Sequence, residues 1–77
     1  MSNTFRDAMR AAVRVTLTGR SELLVENCAG ICEFCDTSIT LRTSEGALII
    51  GGSALKILRA DEGEVTVGGE ISSVSYI

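Results

Sequence analysis

Seventy-seven residues, 45% of them apolar, make one small domain. A chain of this size buries only about 60% of the surface it exposes when unfolded. The net charge of −3 is unevenly placed: Arg6, Arg10, Arg14 and Arg20 face Asp7 alone in the first twenty residues, so the rest of the chain is acidic and lacks the basic stripe of a nucleic-acid binder.

The first residues read differently from the rest. Thr4 followed by Asp7 resembles a helix-start pair. Phe5, Met9 and Val13 recur every four residues, with Arg6, Arg10 and Arg14 as a second stripe beside them. This pattern predicts a short amphipathic helix or arm over residues 1–13. A helix of about ten residues is marginal alone in water, so it must dock or fray. It is either an arm packed on the chain's own sheet or frayed, or an arm for a partner or a membrane surface, in which case Arg6, Arg10 and Arg14 are the partner-binding residues.

From Arg14 the apolar period changes to two, which marks residues 14–77 as a β domain. Val15 and Leu17 alternate with Thr16 and Thr18 until Gly19. Leu23 to Val25 is a short apolar stretch, and Asn27 and Gly30 are turn-prone. Ile31 and Phe34 bracket a third strand, and Ile39 and Leu41 a fourth, before a turn at Ser44-Glu45-Gly46. Ala47 to Ile50 is apolar throughout, as a strand buried on both faces would be. Gly51-Gly52 then reads as a turn, followed by Leu55 and Ile57 and a second turn at Asp61-Glu62-Gly63. Val65 and Val67 alternate up to Gly68-Gly69, also read as a turn. In the last strand the apolar residues change parity between Ile71 and Val74, which predicts a β-bulge.

Seven or eight short strands rich in Val, Ile and Thr predict an all-β fold, a small antiparallel meander or sandwich-like domain. The expected core is Val15, Leu17, Val25, Ile39, Leu41, Leu48, Ile50, Leu55, Ile57, Val65, Val67 and Ile71. An apolar–x–apolar–x–Gly unit recurs at Val15, Leu48 and Val65, each period reading as one hairpin of a meander, sandwich or small barrel, with a β-solenoid as the competing architecture.

The sharpest chemical signal is Cys28, Cys32 and Cys35, spaced C-x3-C-x2-C with Phe34 before the last. That spacing, with Gly68-Gly69-Glu70 downstream, matches the cluster and cofactor motifs of radical S-adenosylmethionine enzymes. Size argues against them, because such enzymes need a partial α/β barrel of roughly two hundred residues. A structural zinc site wants four ligands, and the chain has no histidine to complete the set. A fourth ligand would have to come from Glu33, Asp36 or a second subunit. The plainer reading makes the cysteines small, partly buried packing residues. Without histidine there is no His general base and no Cys–His or Ser–His pair. Asp61, Glu62 and Glu64 read as a solvated hairpin tip. The expectation is a protein with no catalytic residues and no cofactor.

No run reaches the ~18 apolar residues of a membrane span. Charges at Arg6, Asp7 and Arg10 interrupt any apolar signal-peptide core. With an odd number of cysteines, this points to the cytoplasm.

The run from Val15, V-T-L-T-G-R-S-E-L-L-V-E-N-C-A-G-I, resembles the opening strands of the YabP/YqfC family of bacterial sporulation proteins. Val25-Glu26-Asn27 followed by Gly30-Ile31 brings it nearer the YqfC-like branch. G-A-L-I-I-G-G-S-A-L-K-I from Gly46 and G-E-V-T-V-G-G-E-I-S-S-V-S-Y from Gly63 are similar to later blocks of that family, so the resemblance covers about residues 14–77. Cys28 stands where a histidine is common, and Ala29 where a basic residue often follows; these departures touch any role that relied on those side chains. The resemblance implies a non-enzymatic protein of endospore formation that serves assembly of the spore's outer layers. It implies a cytoplasmic, mother-cell place near the forespore membrane, beside a membrane-anchored protein partner. A homo-oligomer and a small cysteine-based metal-binding or redox module are the other expectations to be weighed.

Overall fold

A computed structural model describes residues 12–77. It contains six strands: β1 (Arg14–Thr18), β2 (Glu22–Glu26), β3 (Cys28–Cys35), β4 (Ser38–Thr43), β5 (Gly46–Asp61) and β6 (Glu64–Tyr76). All neighbours are antiparallel in one sheet of order β1-β2-β6-β5-β4-β3. No helix occurs among the described residues, and Arg14 already opens β1. The helix expected over the N-terminal arm otherwise lies outside the described residues.

Six strands replace the expected seven or eight because the two Gly-Gly pairs are not chain reversals. Gly51-Gly52 lies inside β5 and Gly68-Gly69 inside β6, and the two strands pair with each other on both sides of them. The glycines are needed because the two backbones approach too closely for side chains. A Cβ on Gly52 would be driven into the Glu70 carbonyl oxygen, and one on Gly69 into that of Ala54. Gly69 also has φ +124°, a conformation that residues with a Cβ rarely adopt.

These bends divide the sheet into two lobes. In the first, β1 pairs with β2, β2 with residues 64–68 of β6, and those with residues 56–61 of β5. In the second, β3 pairs with β4, β4 with residues 46–51 of β5, and those with residues 73–76 of β6. The lobes repeat one pattern. Leu23 opposes Val67 and Val25 opposes Val65, as Ile39 opposes Ile50 and Leu41 opposes Leu48. The recurring unit at Leu48 and Val65 therefore marks equivalent strands that each run into a bend glycine. The antiparallel pairing throughout rules out a solenoid. Each bend is clamped by the turn of one hairpin: Gly52 and Leu55 donate to the carbonyls of Thr37 and Asp36, and Gly69 and Ile71 to those of Ser21 and Arg20, at 2.8–3.2 Å.

Leu23, Val25, Ile39, Leu41, Leu48, Ile50 and Val67 have no exposed surface. One face of an open sheet cannot bury residues so completely, so the inner faces of the two lobes cover each other, and residues of both lobes form one core cluster. Leu55 and Ile71 close the core at the corners made by the bends. Asn27, at φ 66°, carries the chain from one lobe to the other, and the Cys28 amide donates to the Gly63 carbonyl at 3.2 Å.

The core differs from the expected one at five residues. Leu23 and Cys28 join it, Val15 and Ile57 are half-buried against it, and Leu17 is 50% exposed. The run Ala47–Ile50 is not fully buried on both faces: Leu48 and Ile50 are buried on the inner face, while Ala47 and Ile49 are only partly buried on the outer face. The expected bulge is present, since Gly51 pairs with Ser73 and Gly52 with Ile71, leaving Ser72 unpaired in the ladder.

Candidate interaction surface

The extended path of β3 separates the cysteines. Cys28 and Cys35 are its first and last residues, so on the order of 20 Å of strand lies between them. Zinc–thiolate bonds of about 2.3 Å demand sulfurs almost in contact. Among the described residues no three Cys, Asp or Glu side chains come together as a ligand set. Cys28 is buried beside the hairpin tip, with its thiol 3.7 Å from the Gly63 carbonyl oxygen, whereas Cys32 and Cys35 are exposed.

Their surroundings tune the thiols in opposite directions. Burial pushes the Cys28 thiol above its ordinary value, and the Glu64 carboxylate adds to the effect. Hydrogen bonding with Thr37, whose hydroxyl lies 3.5 Å from the sulfur, pulls the Cys35 thiol down. The thiolate is the reactive form, so Cys35 becomes nucleophilic at lower pH than an ordinary thiol and Cys28 only at higher pH. Iodoacetamide at about pH 7 should therefore modify Cys35 well before Cys28, with the gap narrowing toward about pH 9. Peptide mass mapping reads this directly, and equal labelling of the two at neutral pH would contradict the burial of Cys28.

Of the expected partner-binding arginines, Arg6 and Arg10 lie outside the described residues. Arg14 stands at the start of β1, exposed, with its Nε 3.9 Å from Glu26 Oε1 across the strand pair. An ion pair so open to water contributes little to stability, which leaves the guanidinium available to a partner.

The more informative feature is the set of strand edges. Among the described residues β1, β3, residues 56–61 of β5 and residues 71–76 of β6 each pair on one side only. An unpaired edge is a template for another strand, and proteins guard such edges with bulges and charges. The edge of β3 is broken by register shifts around Ala29 and Cys32 and carries Glu33. Residues 56–61 are broken at Leu58 and carry Lys56, Arg59 and Asp61. Residues 71–76 are broken at Ser72. Of these edges among the described residues, only that of β1 keeps uninterrupted register along its whole length.

Apolar side chains line two of these edges. Leu17 on β1 opposes the buried Leu23, and Ile31 and Phe34 on β3 oppose Leu41 and Ile39. All three therefore point to the inner face, yet they are 50%, 40% and 52% exposed. Among the described residues, the lobes cover only part of each other's outermost strand: Cys28 and Val15 pack in or against the core, whereas Leu17, Ile31 and Phe34 do not. Leu17 looked like core in the sequence because alternation identifies the face of a strand and not its distance from the edge.

The family model for the YabP family matches residues 9–77. The chain belongs to the YabP family. It is 30% identical over 71 residues to the uncharacterized protein YqfC of Bacillus subtilis (strain 168), an alignment spanning 92% of this chain and 76% of the relative. The match takes in all six strands of the YabP-family domain together with both bends. None of the described residues forms a helix long and apolar enough to cross a membrane.

Proposed function

We propose that this YabP-family protein is a non-enzymatic assembly module of endospore formation, which binds another protein in the mother cell beside a membrane-anchored partner. The observation that carries the reading is the apolar rim on strand edges that are open among the described residues: inward-facing Leu17, Ile31 and Phe34, each about half exposed. Strand addition at an edge takes affinity from main-chain hydrogen bonds and specificity from neighbouring apolar side chains. Family membership supports the sporulation context, as does the resemblance of the strand blocks to sporulation proteins. The lack of histidine and the wide separation of Cys28 from Cys35 favour binding over catalysis or metal chemistry.

The test is a crosslinking pull-down from sporulating cells with tagged protein. A specific membrane protein should be captured by the wild type and lost with the paired change Leu17→Arg and Phe34→Arg. Both side chains are half-exposed, so the fold should persist by circular dichroism. Normal spores from a deletion strain, together with no specific capture, would sink the proposal.

A further inference from the structure

Resting on the binding-module reading, we infer that β1 is a self-pairing edge whose occupant is a second copy of this chain, joined antiparallel about Thr16. The first ground is that β1 is the one uninterrupted edge among the described residues, whereas the three others carry bulges. The second is the composition of its two faces. In a pairing centred on Thr16, Val15 lies opposite Leu17 of the second copy and Leu17 opposite its Val15. Within each chain Leu17 already opposes Leu23 and Val15 opposes Val25. The inner face then reads Leu23, Leu17, Val15, Val25 from one lobe to the next, an unbroken apolar row that covers the half-exposed Leu17.

Charge gives the third ground. On the outer face Arg14 pairs with Glu26 and Thr18 with Glu22 in each chain. The same register places Arg14 opposite Thr18 of the second copy, so that its guanidinium lies between its own Glu26 and the second copy's Glu22. Thr16 meets Thr16, a favourable cross-strand pair, and no like charges stand directly opposite. A shift of the register by one residue would set apolar side chains against the polar face of the neighbour, which penalises the alternatives. The product is a continuous eight-stranded sheet shared by two lobes, with the β3 edges left free for a different partner.

The experiment measures sedimentation over a wide concentration range for the full chain and two classes of variant. The wild type should dimerise, and Thr16→Lys, which puts two ammonium groups face to face at the symmetry axis, should weaken the dimer about tenfold or more. Thr16 is exposed, so circular dichroism should show an unchanged fold. In a Cys32→Ser, Cys35→Ser background, Thr16→Cys should trap a disulfide dimer under mild oxidation. Thr18→Cys alone should not, whereas Thr18→Cys mixed with Arg14→Cys should. A strict monomer, a dimer indifferent to Thr16→Lys, or trapping with Thr18→Cys but not Thr16→Cys overturns the self-pairing. A strict monomer that still captures its membrane protein in the pull-down overturns self-pairing alone and leaves the binding module standing. A dimer that captures nothing and is dispensable for spores sinks the functional reading while upholding the edge.

Discussion

Gly69→Val should abolish the native state. At Gly69 the backbone has φ +124°, and a Cβ would press on the Ala54 carbonyl and within 2.9 Å of the Leu55 Cα. All of these obstacles are backbone, so no flexible side chain can swing aside. Relief would require β5 and β6 to separate at the corner, which would break the hydrogen bond from Gly69 to the Ser21 carbonyl and uncover Leu55 and Ile71. Backbone strain combined with lost packing places the cost above about 4 kcal/mol. That is most of the stability available to a domain of this size. The measurement is a thermal melt followed by circular dichroism, with a two-dimensional amide NMR spectrum at low temperature. A dispersed spectrum and a melting temperature near that of the wild type would show that the corner does not close as described. Gly52→Ala should act in the same direction, since its Cβ meets the Glu70 carbonyl across the same crossing.

Ile50→Ala should cost about 2–5 kcal/mol, whereas Ile49→Ala should cost about 1 kcal/mol or less. The two are chain neighbours of the same residue type, so strand propensity cancels in the comparison. They differ in the face they occupy: Ile50 is fully buried opposite Ile39, and Ile49 is only partly buried opposite Thr40. Urea unfolding of both variants gives the difference, and comparable losses at the two positions would mean that the outer face is also covered. The lobe-on-lobe packing therefore makes an asymmetric prediction at a site where the bare sequence, with its run of four apolar residues, makes a symmetric one.

Much of the architecture was legible from local chemistry. Alternation at Val65–Val67 and Ile39–Leu41 assigned strands and their inner faces, because side chains of a pleated strand point alternately to opposite sides. The turns at Gly19, Ser44–Gly46 and Asp61–Gly63 follow from their residues, and the parity change between Ile71 and Val74 located the bulge at Ser72. The absence of histidine removed whole classes of catalytic pairing before any fold was known. The strand blocks from Val15, Gly46 and Gly63 were enough to point to the family that the model match over residues 9–77 shows.

Other features needed the folded chain. Gly51-Gly52 and Gly68-Gly69 carry the same local signal as a turn, because glycine permits both a reversal and a close crossing. Which occurs depends on a strand distant in sequence lying against it. Cys28, Cys32 and Cys35 form a compact motif on paper, yet the pairing of β3 with β4 draws them out along an extended strand. Leu17 and Leu23 belong to the same inner face and are adjacent across one ladder, but one is half-exposed and the other fully buried. Alternation records the side of the sheet on which a residue lies, and that is a property of its own backbone. Burial depends on what the opposite lobe covers, and that is decided by where β5 and β6 bend.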